Sequence, residues 1–85
     1  MMTRFISPNA IVNGCVEDAI ILGKTEIGKE TYVGGNVIIG YPIEKTLRSL
    51  LAAGKLDLRR ISEASKGAKI GRECIIRSGT VIYEN

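Results

Sequence analysis

Residues 21–42 read ILGKTE, IGKETY, VGGNVI and IGYP, and this stretch decides the fold. Each unit of six residues opens with Ile or Val, and its fifth residue is small or short and branched: Thr25, Thr31 and Val37. In the second and third units, a Gly follows the leading aliphatic residue. Agreement at separate positions of a fixed period indicates a structural repeat rather than a chance run of aliphatic residues.

The same unit recurs on both sides of this stretch, at residues 6–17 and 70–85. Every unit again opens with a branched aliphatic residue. The leading residues are Ile6, Val12, Ile21, Ile27, Val33, Ile39, Ile70, Ile76 and Ile82.

The phase of the repeat slips twice. Nine residues separate Val12 from Ile21, which predicts a three-residue insertion around residues 18–20. Thirty-one residues separate Ile39 from Ile70, which predicts an insertion of twenty-five.

A period of six has a physical interpretation. Three such faces make one triangular coil, in which the leading aliphatic side chain points inward and stacks on its equivalents in the neighbouring coils. The small fifth residue also points inward, and the Gly suits a corner backbone that a Cβ would strain. Stacked coils pair as parallel strands, which satisfies their backbone groups. The sequence therefore predicts an all-β, left-handed parallel β-helix of about three coils, in a single domain of residues 1–85.

Residues 41–67 carry a helical pattern instead. The apolar residues that recur at helical spacing are Ile43, Leu47, Leu50 and Leu51, and Gly54 is a typical helix stop. A second short helix is predicted after Asp57, which can cap it, and before Gly67. The residues predicted to share its apolar face are Leu58, Ile61 and Ala64. We expect this helical insertion to fold back onto the β-helix or onto a neighbouring subunit.

The excess positive charge lies in the same insertion. The net charge is +3, and residues 41–66 hold six basic residues against three acidic ones, so the remainder sums to zero. A charge this modest argues against nucleic-acid binding. No apolar run approaches the ~20 residues of a membrane span, so we expect no membrane contact. Two cysteines without a secretory signal favour a cytoplasmic location.

The strings KTEIGKETYVGGNVIIGYP and KIGRECIIRSGTVIYEN resemble the hexapeptide-repeat acyltransferases, in particular the N-terminal part of nucleotide-sugar N-acetyltransferases. The resemblance covers nearly the whole chain. It implies a homotrimer of parallel prisms with acetyl-CoA as co-substrate in a groove between them, and a sugar amine or hydroxyl, as on a nucleotide-sugar, as acceptor. Many members use a His as general base. This chain has no His, so no catalytic residue is assigned.

Five residues are candidates for ligand contact. Arg59 and Arg60 in the insertion, and Arg77 in a position where most units carry a small residue, are predicted to bind CoA phosphates or a carboxylate. Asn36 and Tyr83 are predicted to line the same intersubunit groove and contact the acceptor. Each has a structural alternative: a solvated helix face for the first pair, a surface ion pair with a nearby glutamate for Arg77, and corner or interface packing for the last two.

The cysteines and three of the carboxylates are the other groups that could take part in catalysis or metal binding. Cys74 occupies an inward small position and is predicted to be core, while Cys15 falls on an exposed position, so no disulfide is expected. A Cys nucleophile lacks a His partner, and the zinc site of the related γ-class carbonic anhydrases lacks its His ligands, so no metal is predicted. The carboxylates of Glu17, Asp18 and Glu26 are either candidate general bases or plain surface acids.

Two functions stay open from the sequence. The first is transfer of an acyl group, with acetyl favoured, from CoA to a sugar amine or hydroxyl. Catalysis would then rest mainly on positioning two substrates at a subunit interface. The second is a non-catalytic, self-associating β-helix module or an inactive acyltransferase remnant, which the absence of His and the small number of coils favour. Binding of CoA distinguishes them.

Overall fold

Ten short strands, all paired in parallel, form three sheets in the computed structural model, which describes residues 4–54 and 56–84. The strands are β1 (Phe5–Ile6), β2 (Ile11–Val12), β3 (Cys15–Val16), β4 (Ile20–Ile21), β5 (Glu26–Ile27), β6 (Tyr32–Val33), β7 (Ile38–Tyr41), β8 (Lys69–Ile70), β9 (Ile75–Ile76) and β10 (Val81–Tyr83). Sheet A has the order β1-β4-β7-β10, sheet B β2-β5-β8 and sheet C β3-β6-β9. The chain visits A, B and C in the same order in each coil, so the arrangement is β-helix-like, with the predicted parallel pairing.

The leading aliphatic residues form the interior. In sheet A, Ile6 lies opposite Ile21, Ile21 opposite Ile39, and Ile39 opposite Ile82. Every leading residue of the repeat is buried or half-buried and belongs to, or packs against, one core cluster. Burying one such side chain contributes about 1.5–3 kcal/mol, so these stacked rows are the main source of stability.

The first coil departs from the predicted phase. Val16, predicted as the small fifth residue of its unit, lies opposite Val33 and so leads a unit of its own. Four residues separate Val12 from Val16 and five separate Val16 from Ile21, whereas a regular unit has six. The first coil is therefore three residues shorter than a regular one, and the predicted insertion around residues 18–20 is wrong.

Close approach of neighbouring coils explains most of the corner glycines. A Cβ on Gly14 would lie 2.3 Å from the carbonyl oxygen of Thr31, and one on Gly28 would lie 2.7 Å from the carbonyl carbon of Gly71. From the sequence we predicted that a Cβ would strain the backbone of the corner itself, whereas the structure shows that it would collide with the backbone of the next coil. At Gly40 the backbone also has φ +86°, a conformation that favours Gly.

The inward threonines link one coil to the next. Thr25 is fully buried, and its Oγ1 donates to the carbonyl oxygen of Leu22 at 2.6 Å while accepting from the amide of Ala68 at 3.1 Å. The Oγ1 of buried Thr31 donates to the carbonyl oxygen of Gly71 at 2.7 Å. The side chain at the fifth position of the repeat is therefore small because the corner leaves little room. In these two units it is also polar, because buried backbone groups at the corner need hydrogen-bond partners.

The insertion forms two helices between β7 and β8: α1 (Glu44–Ala52) and α2 (Leu58–Ala64). Gly54 follows α1 with φ +69°, and the Asp57 side chain accepts from the Arg60 amide at 2.9 Å, which confirms the predicted stop and cap. The Glu84 carboxylate accepts from the amides of Ile43 at 3.2 Å and Lys66 at 2.8 Å, and so holds the two ends of the insertion together. Neither helix is long and apolar enough to cross a membrane.

Only α2 folds back firmly onto the sheets. The Gly23 amide donates to Ser62 Oγ at 3.2 Å, and Ser65 Oγ donates to the Gly40 carbonyl at 2.5 Å. Both serines are buried. Of the residues predicted to share the apolar face of α2, Ala64 is exposed and the other two are half-buried. The packed face of α2 is therefore partly polar.

Candidate functional site

The structure divides the predicted ligand residues among three places. Asn36 and Arg77 lie at the same corner, between sheets C and A, in adjacent coils, and both are exposed. Arg59 and Arg60 are exposed on α2, and Arg59 borders a cleft beside the corner between sheets A and B. Tyr83 is 59% exposed on β10, at the outer surface of sheet A. The residues predicted to share one groove are therefore not gathered within a single chain.

Asn36 and Tyr83 have clear structural roles. Asn36 adopts φ +59°, which Asn tolerates better than most residues. Its backbone N–H donates to the carbonyl oxygen of Asp18 at 2.9 Å. Tyr83 packs edge-to-face against Tyr41, with ring centroids 5.8 Å apart. These contacts agree with the corner and packing alternatives for the two residues.

Arg77 does not form the ion pair that was its structural alternative. Glu73 pairs with Arg72 instead, with Nη2 and Oε2 3.8 Å apart, and the Glu84 carboxylate accepts from backbone amides. Within the described residues no carboxylate lies within ion-pair distance of Arg77. Arg77 is exposed at the corner, so its guanidinium can meet an anion there.

A cleft of about 250 Å³ separates α2 from the first corner of the coil. Its lining residues are Phe5, Ser7, Pro8, Asn9, Arg59, Ser62 and Glu63. Phe5 and Pro8 give it an apolar wall. Arg59 and Glu63 lie on the helix side, with Nε and Oε2 3.8 Å apart and both side chains largely exposed. A loose exposed pair of this kind exchanges partners easily, so Arg59 can meet a ligand anion.

A second cleft, of about 260 Å³, opens where the insertion rejoins the coil. Its charged lining residues are Lys24, Glu26, Lys66 and Lys69. Sequence reasoning missed these lysines because they are far apart along the chain. The register that places Lys69 opposite Glu26 brings two of the four together. The close approach of Gly67, where a Cβ would lie 2.5 Å from the carbonyl carbon of Lys24, brings in the others.

The remaining candidate groups show no built site. Cys15 is exposed and Cys74 half-buried, both as free thiols, so the prediction that Cys74 belongs to the core is only partly met. Of the candidate bases, Glu17 and Asp18 are exposed at a corner, and Glu26 alone borders a described cleft. Among the residues that the structure describes, no group of His, Cys, Asp or Glu is arranged to hold a metal ion.

The corner between sheets A and B thus combines an apolar cleft with cations. Arg59 belongs to the apolar cleft, and three lysines and one carboxylate surround the second. Such a corner can accept a ligand that carries both an apolar chain and anionic groups. Comparison with known proteins adds no family to this description, since no family model, curated protein or solved structure matches the chain.

Proposed function

We propose that the chain is a left-handed parallel β-helix of the hexapeptide-repeat type that binds acetyl-CoA and transfers its acetyl group to a sugar amine or hydroxyl, as on a nucleotide-sugar. The observation that carries the proposal is the corner between sheets A and B. There an apolar cleft walled by Phe5 and Pro8 adjoins Arg59, and a second cleft presents three lysines. CoA joins a pantetheine arm, whose methyl and methylene groups can lie against an apolar wall, to phosphates that cations can bind.

The chemistry asks little of the protein. The acceptor nitrogen or oxygen attacks the thioester carbonyl, the C–N or C–O bond forms and the C–S bond breaks. The acceptor proton passes, directly or through water, to the departing sulfur, so that CoA leaves as the free thiol. An amine acceptor that is already neutral needs no strong base, which fits a chain without His. Arg59, Arg60 and Arg77 act by binding anionic groups, whereas Asn36 and Tyr83 serve the fold through the corner and packing contacts described above. Catalysis then rests on holding two substrates together.

An outward apolar row supports assembly into a homo-oligomer, which we propose to be a trimer acting in the cytoplasm. On the outer surface of sheet C, Cys15 lies opposite Tyr32 and Tyr32 opposite Ile75. Ile75 is 74% exposed and Tyr32 41% exposed. An apolar row of this kind favours contact with another protein surface. The same row favours the second candidate function, a self-associating β-helix module without catalysis.

Calorimetric titration with acetyl-CoA tests the first function. We expect saturable binding, weakened roughly tenfold by Arg59→Ala combined with Arg60→Ala, since each loses a charge-assisted hydrogen bond worth about 1.5–3 kcal/mol before solvent screening. Arg48→Ala is the matched control, because Arg48 is an equally exposed arginine on α1 and borders neither cleft at the corner.

The same samples test the second function. A well-folded oligomer that does not bind acetyl-CoA contradicts acyl transfer and favours the assembly module. In that case Ile75→Lys, which places a charge in the outward row of sheet C, is expected to lower the solution mass measured by light scattering. An unchanged mass rejects sheet C as the contact surface.

A further inference from the structure

The apolar side of α1 is only partly covered within the described chain: α1 packs beside α2, and Leu47 and Leu50 are half-buried. At 3.6 residues per turn, Leu47, Leu50 and Leu51 fall on one side of the helix, and Ile43 precedes it on the same side. No residue of α1 is buried. Leu51 is 63% exposed, Ile43 50% and Leu56, just beyond the helix, 44%. Three exposed aliphatic side chains on or beside one short helix indicate a binding surface.

The opposite side of α1 is polar and the insertion around it is basic. Glu44, Lys45, Arg48 and Ser49 border one shallow depression on the outer surface, which places them on a common face. The described basic residues of the insertion are Lys45, Arg48, Arg59, Arg60 and Lys66. They outnumber the three acidic ones, and the pairs that form, Arg48–Glu44 and Arg59–Glu63, are exposed and weak.

We propose that α1 lies on the surface of an anionic phospholipid bilayer. Leu51, Ile43 and Leu56 enter the boundary between headgroups and acyl chains, and the basic residues of the insertion meet the lipid phosphates. The sequence-based expectation of no membrane contact came from the lack of a run long enough to span, whereas a helix lying in the surface requires no such run. This interaction does not depend on the proposed acyl transfer.

Charge decides between a bilayer and a second copy of this chain as the occupant. Docking α1 against α1 would bring together two insertions that each hold six basic and three acidic residues. Docking α1 onto the sheets of another copy offers no net electrostatic attraction, because the rest of the chain sums to zero charge. An anionic bilayer satisfies the apolar side and the positive charge at once.

Vesicle co-sedimentation of the whole chain tests the proposal. The vesicles contain phosphatidylcholine alone or equal parts of phosphatidylcholine and phosphatidylglycerol. We expect binding to the mixed vesicles, weakened by added salt, and much weaker binding to phosphatidylcholine, because each basic residue near an anionic surface adds attraction. Equal binding to both vesicles, or none to the mixed ones, overturns the proposal.

Two matched pairs of variants locate the surface. Leu51→Ser is expected to lower affinity for the mixed vesicles roughly tenfold, while Ile11→Ser, which removes a similarly exposed aliphatic side chain from sheet B, leaves it unchanged. Lys45→Gln is expected to lower it several-fold, and Lys29→Gln, at an exposed corner of the coil, much less. Circular dichroism checks that each variant is folded. Equal losses within either pair reject α1 as the lipid-binding element.

Sedimentation velocity without lipid supplies the remaining outcome. We expect Leu51→Ser to leave the solution mass as in the unmodified chain. A self-associated protein whose mass Leu51→Ser alone reduces would show that a second copy covers α1, and would overturn the lipid proposal. Acetyl-CoA binding, measured on the same variant, is expected to stay unchanged, so failure here and failure of the acyltransferase proposal are separable.

Discussion

Replacing Thr25 with Val tests whether a buried hydroxyl holds the insertion to the coil. The substitution keeps the branched shape but removes Oγ1, which donates to the Leu22 carbonyl at 2.6 Å and accepts from the Ala68 amide at 3.1 Å. Both Thr25 and Ala68 are buried, so water cannot replace the lost partner. An unpaired buried amide costs about 1–3 kcal/mol, and the lost bond to the carbonyl about 1 kcal/mol more, partly offset by the added methyl group.

We therefore expect Thr25→Val to lower the free energy of unfolding by about 2–3 kcal/mol. For a domain of this size, 1 kcal/mol shifts Tm by about 4–8 °C, so the expected fall is roughly 8–24 °C. Urea unfolding followed by circular dichroism measures the change, with an unchanged m-value as the sign that only stability has altered. Several protein concentrations separate folding from any assembly.

Thr80→Val is the matched control. Its Oγ1 also donates to a carbonyl, that of Arg77 at 2.7 Å, but the bond is exposed and joins residues three apart. We expect a loss of less than about 0.5 kcal/mol, because water can replace this bond. If Thr25→Val and Thr80→Val unfold at the same urea concentration, the inward threonines are small by necessity of space alone, and their hydrogen bonds between coils do not matter.

Three further changes test neighbouring contacts. Gly28→Ala is expected to lower the free energy of unfolding in urea by about 1–3 kcal/mol, because the Cβ would meet the backbone of the next coil. Gly35→Ala, whose Cβ would have no atom within 4 Å, is expected to be neutral or slightly stabilising. Equal effects of the two substitutions would contradict close contact between coils. Asp57→Ala is expected to cost about 1 kcal/mol in the same assay by removing the cap of α2, and no loss would contradict that cap. Glu84→Ala is expected to speed hydrogen exchange across the insertion, and unchanged exchange would show that the carboxylate does not hold its ends.

The stacked interior could be predicted from the sequence because each coil repeats the same physical demand. A branched aliphatic residue must face its equivalent above and below, so the demand appears as a period that needs no knowledge of contacts. Rows such as Ile21 opposite Ile39 follow directly. The shortened first coil was not predictable in the same way, because Val16 suits both the small position and the leading position, and only its pairing with Val33 decides between them.

The helices of the insertion were predictable, but their packing was not. Helical spacing of apolar residues predicts an amphipathic helix, and it suggests that the apolar side is the packed side. In α2 and its C-cap the buried residues that bond to the coil are Ser62 and Ser65, because they meet corner backbone groups, the Gly23 amide and the Gly40 carbonyl. Hydrogen bonding to a corner leaves no apolar period in the sequence. In α1 no residue is fully buried, so apolar spacing did not predict a fully packed side there either.

The candidate site was likewise predictable only in part. Positive charge in the insertion was enough to select Arg59, but nothing local to it indicates that Phe5 and Pro8 form the opposite wall of its cleft. That juxtaposition depends on the path by which α2 returns to the first coil. The clustered lysines of the second cleft depend on the same return.

The two proposed interactions of the insertion, with acetyl-CoA and with lipid, depend on different residues, Arg59 and Leu51. Arg59 borders the apolar cleft on α2, whereas Leu51 lies exposed on α1 and borders none of the described clefts. If acetyl-CoA and lipid bind as proposed, Arg59→Ala is expected to weaken acetyl-CoA binding more than vesicle binding, and Leu51→Ser to weaken vesicle binding alone. Loss of both by either substitution would mean that the insertion acts as one unit, in which α1 positions α2 against the coil.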